Sequence, residues 1–200
     1  MLLKAENVSF SYAGGAQILQ NVNFSVETGE VVGLTAPSGY GKSTLGKILA
    51  GYLKPSDGSV TIDGKPLPAK GFCPVQLIFQ HPEKAVNPKW KMKKVLNEAW
   101  NPPEEMIAKM GIRDEWMNRW PSELSGGELQ RFCVLRALSP DTKFLICDEM
   151  STMLDVITQA QIWNVVLDYA KENNVGIVVV SHEKSLVDKI CTRVVHLDNQ

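Results

Sequence analysis

The sequence predicts an α/β fold: a mainly parallel sheet with flanking helices, preceded by an antiparallel β subdomain and interrupted by an inserted α-helical subdomain. Three observations predict it. Short, largely apolar runs at Val31–Thr35, Phe144–Cys147 and Ile177–Val180 have the length and composition of buried parallel strands. Leu2 to Tyr12 and Ile18 to Val26 instead alternate apolar and polar residues around Ala13-Gly14-Gly15, the pattern of an antiparallel hairpin. From His81 to Ser122 the composition changes again. Pro82, Pro88, Pro102, Pro103 and Pro121 punctuate short helical pieces, and Trp90, Trp100, Trp116 and Trp120 fall here, which marks a helical insertion.

With 200 residues, 44% of them hydrophobic, the chain fills one domain, with the helical lobe expected over residues 81–138. A formal net charge of −1 supplies no basic field for nucleic acid, and none is expected as a partner. The densest positive run, Lys89, Lys91, Lys93 and Lys94, alternates with Trp90, Met92 and Val95 and reads as the solvated side of a helix or turn. Cys73, Cys133, Cys147 and Cys191 are scattered, without a CxxC pair, and read as small hydrophobes in a reducing compartment. No signal-peptide core or bilayer-length apolar run occurs, so the chain is expected in the cytosol unless a partner holds it at a membrane.

The organising stretch is Val31–Thr44, VVGLTAPSGYGKST: strand, glycine-rich loop, helix start. Helical spacing of Leu45, Ile48, Leu49 and Tyr52 follows. In the loop Ala36-Pro37-Ser38-Gly39-Tyr40-Gly41, the glycines let the backbone curl around a polyphosphate with N–H groups aimed inward. Lys42 adds a charge for the β- and γ-phosphates, Ser43 a hydroxyl for Mg²⁺, and Thr44 a contact to the neighbouring phosphate. This is the GxxxxGK[ST] pattern of P-loop NTPases, with Ala36 in place of its first glycine.

Along the rest of the chain, Tyr12 can stack on an adenine ring or simply pack on a hairpin neighbour. Pro55-Ser56-Asp57-Gly58 makes a turn, and Val60–Ile62 with Asp63-Gly64 a second short hairpin. The apolar strand from Val75 to Phe79 ends at Gln80, whose carbonyl oxygen can reach Mg²⁺ or an attacking water, or which is an ordinary polar strand end. The tryptophans of the insertion form its core or an exposed docking surface.

Leu124-Ser125-Gly126-Gly127-Glu128 opens a helix running through Gln130, Arg131 and Leu138, and offers a second anion-binding element. One chain rarely wraps both elements around one phosphate. The strand Phe144–Glu149 ends in two carboxylates, Asp148 suited to the surroundings of Mg²⁺ and Glu149 to deprotonating water, or both to capping a turn. An amphipathic helix from Val156 to Glu172 follows. The strand Ile177–Val180 ends in Ser181-His182, and a last helix and strand from Glu183 to Leu197 complete the sheet.

Taken together and in order, these residues resemble the ATP-binding-cassette (ABC) ATPases along essentially the whole chain. Tyr12 matches that family's aromatic loop, Ala36–Thr44 its Walker A loop, Gln80 its Q-loop, and Leu124–Glu128 its LSGGE signature. Phe144–Asp148 matches Walker B, Glu149 the catalytic base, Asp155 the D-loop and His182 the switch histidine.

The resemblance implies ATP and Mg²⁺ as cofactors, with Ser43, Gln80 and Asp148 at the metal. It implies a second ABC ATPase subunit, identical or homologous, clasped head to tail so that Walker A of one and Ser125, Gly126, Gly127 and Glu128 of the other enclose each ATP. It further implies an integral membrane permease, with or without an extracytoplasmic solute-binding protein, and a place on the inner face of the cell membrane.

A narrower likeness, to the dipeptide, oligopeptide and nickel importer branch, lies in Phe79-Gln80-His81-Pro82, Asn87-Pro88, Cys147-Asp148-Glu149, Leu154-Asp155-Val156 and Gln159-Ala160-Gln161-Ile162. That branch usually carries a C-terminal extension not found in this sequence, and Met150 stands where the family commonly has proline. The expected function is therefore an ATP-hydrolysing subunit that powers import of peptides or nickel complexes. The alternatives are an exporter-type or lipoprotein-releasing cassette, or a soluble ABC-type ATPase.

Overall fold

The computed structural model describes residues 1–197. The chain divides into two compact units, each described by itself below. The first comprises Met1–Leu77, Lys143–Asp148 and the chain from Asn174 on; the second comprises Ile78–Thr142 and Glu149–Asn173.

In the first unit, β1 (Leu2–Ser11) and β2 (Gln17–Glu27) pair antiparallel as the alternation predicts, from Leu2 opposite Glu27 to Ser11 opposite Gln17. Register shifts interrupt the ladder between Ala5 and Ser11. Leu3, Ala5 and Val8 of β1 and Val26 of β2 are fully buried, so the alternation does set the core face. The second short hairpin, β4 (Asp57–Ile62) with β5 (Lys65–Pro66), also forms. It does not stand apart: β4 adds to the free edge of β1, giving a four-stranded sheet ordered β2-β1-β4-β5. An unpaired edge on the long β1 would leave a row of backbone donors and acceptors open, and β4 closes it.

The parallel sheet contains β3 (Val31–Thr35), β6 (Val75–Ile78), β7 (Phe144–Asp148), β8 (Gly176–Val180) and β9 (Arg193–His196), in the order β6-β7-β8-β3-β9. Every residue of β7 and β8 is buried, which is why both read as unbroken apolar runs. Helix α1 (Lys42–Leu49) lies close on this sheet. A Cβ at Gly46 would come 3.2 Å from Ile146 Cγ2, so a larger side chain there would push the helix away from β7. The result fixes the C-terminal ends of β3, β7 and β8, where Thr35, Asp148 and Val180 give way to the loops that carry polar residues.

The second unit holds α2 (Met92–Leu96), α3 (Glu104–Lys109), α4 (Gly126–Ala137) and α5 (Val156–Asn173), with short 3₁₀ turns at Pro82–Lys84, Asp114–Trp116 and Pro121–Glu123. This is the proline-punctuated helical lobe, and it takes in α5 as well as the insertion. Its core includes Met92, Val95, Leu96, Met110, Trp116, Phe132 and Leu135.

The tryptophans of the insertion differ in exposure. Trp116 is buried, while Trp120 is 41% exposed. Lys89, Lys91, Lys93 and Lys94 are exposed, and Lys94 Nζ sits 4.1 Å from the centroid of Trp90. A final helix, α6 (Lys184–Ile190), belongs to the first unit, where Val187 packs over Gly33 of β3.

Candidate active site

The glycine-rich loop of the first unit is built as the spacing requires. Gly41 has φ 85° and serves as N-cap of α1, a left-handed conformation that a side chain would strain. A Cβ there would also meet Leu19 Cδ2 at 2.7 Å. The first turn of α1 contains no acidic residue, so nothing there competes with a bound anion for the helix dipole.

Lys42 is only 6% exposed and curls back into the loop, its Nζ donating to the carbonyls of Ala36 at 2.7 Å and Pro37 at 3.1 Å. Ser43 Oγ donates to Asp148 Oδ1 at 2.8 Å, joining the helix start to the end of β7. Asp148 is itself 6% exposed. Ser38, Gly39 and Tyr40 form the open lip of the loop. Ala36 has no positive φ, so its methyl group is accommodated without backbone strain.

Tyr12 stands beside this loop and packs on a hairpin neighbour. Its ring meets Phe10 edge-on, centroids 4.9 Å apart, and its hydroxyl lies 3.4 Å from Thr44 Oγ1. The ring remains 44% exposed. His182 is exposed just past β8, in a turn where Ser181 Oγ accepts from the backbone N–H of Glu183 at 3.0 Å.

In the second unit, Gln80 Nε2 donates to Glu149 Oε2 at 2.9 Å. Glu149 is not part of β7, which ends at Asp148; its φ of 49° lies in the left-handed region. A non-glycine residue there costs on the order of 1–3 kcal/mol and persists only where its surroundings hold it. The Glu149 carbonyl accepts from Thr152 Oγ1 at 2.8 Å and from Thr152 N at 3.3 Å, closing a tight turn.

The serine-glycine-glycine element is the N-terminus of α4. Ser125 is its N-cap, in a reciprocal box: Ser125 Oγ accepts from Glu128 N at 3.3 Å, and Glu128 Oε2 accepts from Ser125 N at 2.7 Å. The bond from the Ser125 backbone is the main reason that the Glu128 carboxyl sits below its usual range. The Ser125 hydroxyl accepts in this box, which leaves its hydrogen to donate outward. Asp155 caps α5, its Oδ1 accepting from Ile157 N at 3.1 Å and Thr158 N at 3.0 Å. The bond from the Thr158 backbone, followed by one from the Thr158 side chain, lowers its pKa.

Thus Lys42, Ser43, Thr44, Asp148 and Tyr12 are gathered in the first unit, and Gln80 with Glu149 in the second. Within the second unit, two residues that the sequence did not single out as site residues lie near Gln80 and Glu149. Gln130 of α4, 1% exposed, donates to the carbonyl of Phe79, the residue before Gln80, at 3.2 Å. Ser151, buried two residues after Glu149, accepts from Trp163 Nε1 at 3.0 Å. A glutamine among Leu129, Phe132 and Cys133 was the available signal for the first; Trp163 on the apolar face of α5 gave none beyond core packing.

Chemically, a lysine, backbone N–H groups and a helix N-terminus around one loop form a polyphosphate cradle. The Ser43–Asp148 oxygen pair fits a hard divalent cation such as Mg²⁺. Among the described residues there is no group of three His, Cys, Asp or Glu side chains that could hold a metal ion.

Comparison with known proteins agrees with this geometry. Residues 19–152 match the family model described as ABC transporter, and the chain belongs to that family as one of its ATP-binding cassette ATPases. The nickel import ATP-binding protein NikE of Escherichia coli O6:K15:H31 is 32% identical over 225 residues, covering 99% of this chain and 84% of the relative. NikE of the nickel import system of Staphylococcus aureus, bovine strain RF122, is also 32% identical, over 98% of this chain and 86% of the relative. Among solved structures, the ATP-binding cassette MJ0796, in a dimeric post-hydrolysis state with ADP and Pi, superposes with a TM-score of 0.82. It is 26% identical, over 97% of this chain and 93% of that one.

Proposed function

We propose that this chain hydrolyses ATP to drive solute import, with nickel complexes or peptides as cargo, through a permease bound at the inner face of a membrane. The observation that carries the ATPase reading is the Ser43–Asp148 bond at 2.8 Å beside the inward-curled Lys42. The cargo reading is supported by the two nickel-import relatives, each 32% identical over nearly the whole chain. Among the described residues no helix is long and apolar enough to cross a membrane.

In this reading the polyphosphate takes over Lys42 from the carbonyls of Ala36 and Pro37, while the loop N–H groups from Ser38 to Thr44 orient it. Tyr12 stacks on the adenine. Ser43 and Asp148 would hold Mg²⁺, which when bound offsets phosphate charge, and the family resemblance implies that Gln80 joins them. Glu149 takes the proton of the attacking water, and the Gln80 Nε2 bond to Oε2 leaves its second carboxylate oxygen for that task. His182 donates to the γ-phosphate and so favours the charge that builds there.

Ser125, Gly126 and Gly127 serve the ATP of a second cassette, with Asp155 beside them. One chain then uses its two anion-binding elements on two different nucleotides, which explains why it carries both. Closing and reopening of the pair drives the permease. Disabling the chain in its host by Lys42→Ala and measuring uptake tests the cargo: loss of nickel or dipeptide uptake is expected. Unchanged uptake of both would refute the import reading while leaving the ATPase reading standing.

A further inference from the structure

Glu149 holds a left-handed backbone conformation, and its turn is anchored at a point that none of the functional motifs includes. Ser151 is 4% exposed, and its Oγ accepts two N–H bonds from α5: one from Trp163 Nε1 at 3.0 Å, one from Gln159 Nε2 at 3.1 Å. Trp163 is likewise 4% exposed. The turn between is tied internally by Thr152 to the Glu149 carbonyl and by Leu154 N to the Ser151 carbonyl at 3.1 Å.

From these contacts we infer that Trp163, acting through Ser151, is a positioning residue for Glu149. The chain of contacts is short and directional. Ser151 is two residues from Glu149, so a shift of its Cα changes the dihedrals that aim the Glu149 carboxylate. The residue between them, Met150, lacks the ring that would restrict the backbone of its predecessor, and leaves Glu149 able to adopt φ 49°. Nothing in the covalent geometry then holds that conformation, and the hydrogen-bonded anchor on α5 does.

An indole is suited to the task because it combines a large apolar body, which fixes α5 in the core, with one directional donor. If the N–H is deleted, a buried hydroxyl loses one of its two donors and the turn relaxes, moving the carboxylate off the water. Displacements of about 1 Å at a reacting group can cost about 10²-fold in rate. A weakened, not abolished, anchor should cost less, on the order of 10-fold.

The inference rests on Glu149 being the base, and the test separates the two. Trp163→Phe keeps the aromatic packing and removes the donor. ATP turnover of the full chain is expected to fall roughly 10-fold with KM for ATP within about twofold. Ser151→Ala should reproduce this and Ser151→Thr, which keeps the hydroxyl, should restore it.

The discriminating measurement is a double-mutant cycle. In the Glu149→Gln background, Trp163→Phe should have no further effect on single-turnover hydrolysis, because no base remains to misplace. An equal fall in both backgrounds would show general damage to the fold and overturn the inference, as would kcat within about twofold in Trp163→Phe and Ser151→Ala alike. Near-normal turnover in Glu149→Gln alone would instead remove the base reading beneath it.

Discussion

Ser43 Oγ and Asp148 Oδ1 are 2.8 Å apart, a hydrogen bond that ties the start of α1 to the end of β7 across a sequence separation of 105 residues. The bond has a functional cost when it is broken from either side. Ser43→Ala or Asp148→Asn should weaken Mg²⁺-dependent ATP hydrolysis by roughly 10²-fold or more, since the first removes an oxygen from the pair and the second the negative charge that suits the cation. Hydrolysis assayed against Mg²⁺ concentration checks this. Unaltered Mg²⁺ dependence in both variants would place the cation elsewhere.

Ala36 departs from the glycine expected at the start of the loop, yet it supplies only its carbonyl to Lys42 and carries no positive φ. Ala36→Gly should therefore change ATP affinity by no more than a few-fold. A hundredfold gain, measured by nucleotide titration, would show that the methyl group impairs the natural loop.

The box at the head of α4 has a pH signature. The Glu128 carboxyl is held below its ordinary value of 4.5 by the Ser125 N–H, so its contribution is fully present above that value and is lost as pH falls through the lower folded one. Amide exchange at Ser125 and Glu128 should accelerate in that acid window relative to the interior of α4. In Glu128→Ala the acid step should vanish. An undiminished step in that variant would assign it to another group.

Much of this was legible because local chemistry set it. The alternation of Leu2–Tyr12 placed β1, and the apolar runs placed β7 and β8, since buried strands need no polar face. The loop from Ala36 to Thr44 was legible because its backbone geometry demands particular residues at particular spacings. The addition of β4 to β1 was not, because edge pairing depends on which strand arrives there, not on any local pattern. Ser151 and Trp163 also escaped notice: twelve residues separate them, and an indole donor looks like any other core tryptophan until its partner is seen.

Exposed Lys91, Lys93, Lys94, Asn97 and Glu98 line a cleft of about 540 Å³ with the half-buried Trp90, and coupling to the proposed permease is expected through this face of the helical lobe. Charge reversal at Lys93 and Lys94 should depress transport at least several-fold while basal ATPase activity of the cassette stays within about twofold. Loss of ATP binding in the same variants would contradict a coupling role.

Sedimentation of Glu149→Gln with and without ATP reads out the proposed sandwich, in which ATP joins two cassettes through the loop of one and the Ser125 element of the other. A monomer is expected without nucleotide and a dimer with it, formed with a second copy or with a homologous cassette, and adding Ser125→Arg should abolish the dimer by placing bulk and charge at the shared phosphate. ATP-independent behaviour with either partner, or a dimer indifferent to Ser125→Arg, would contradict it.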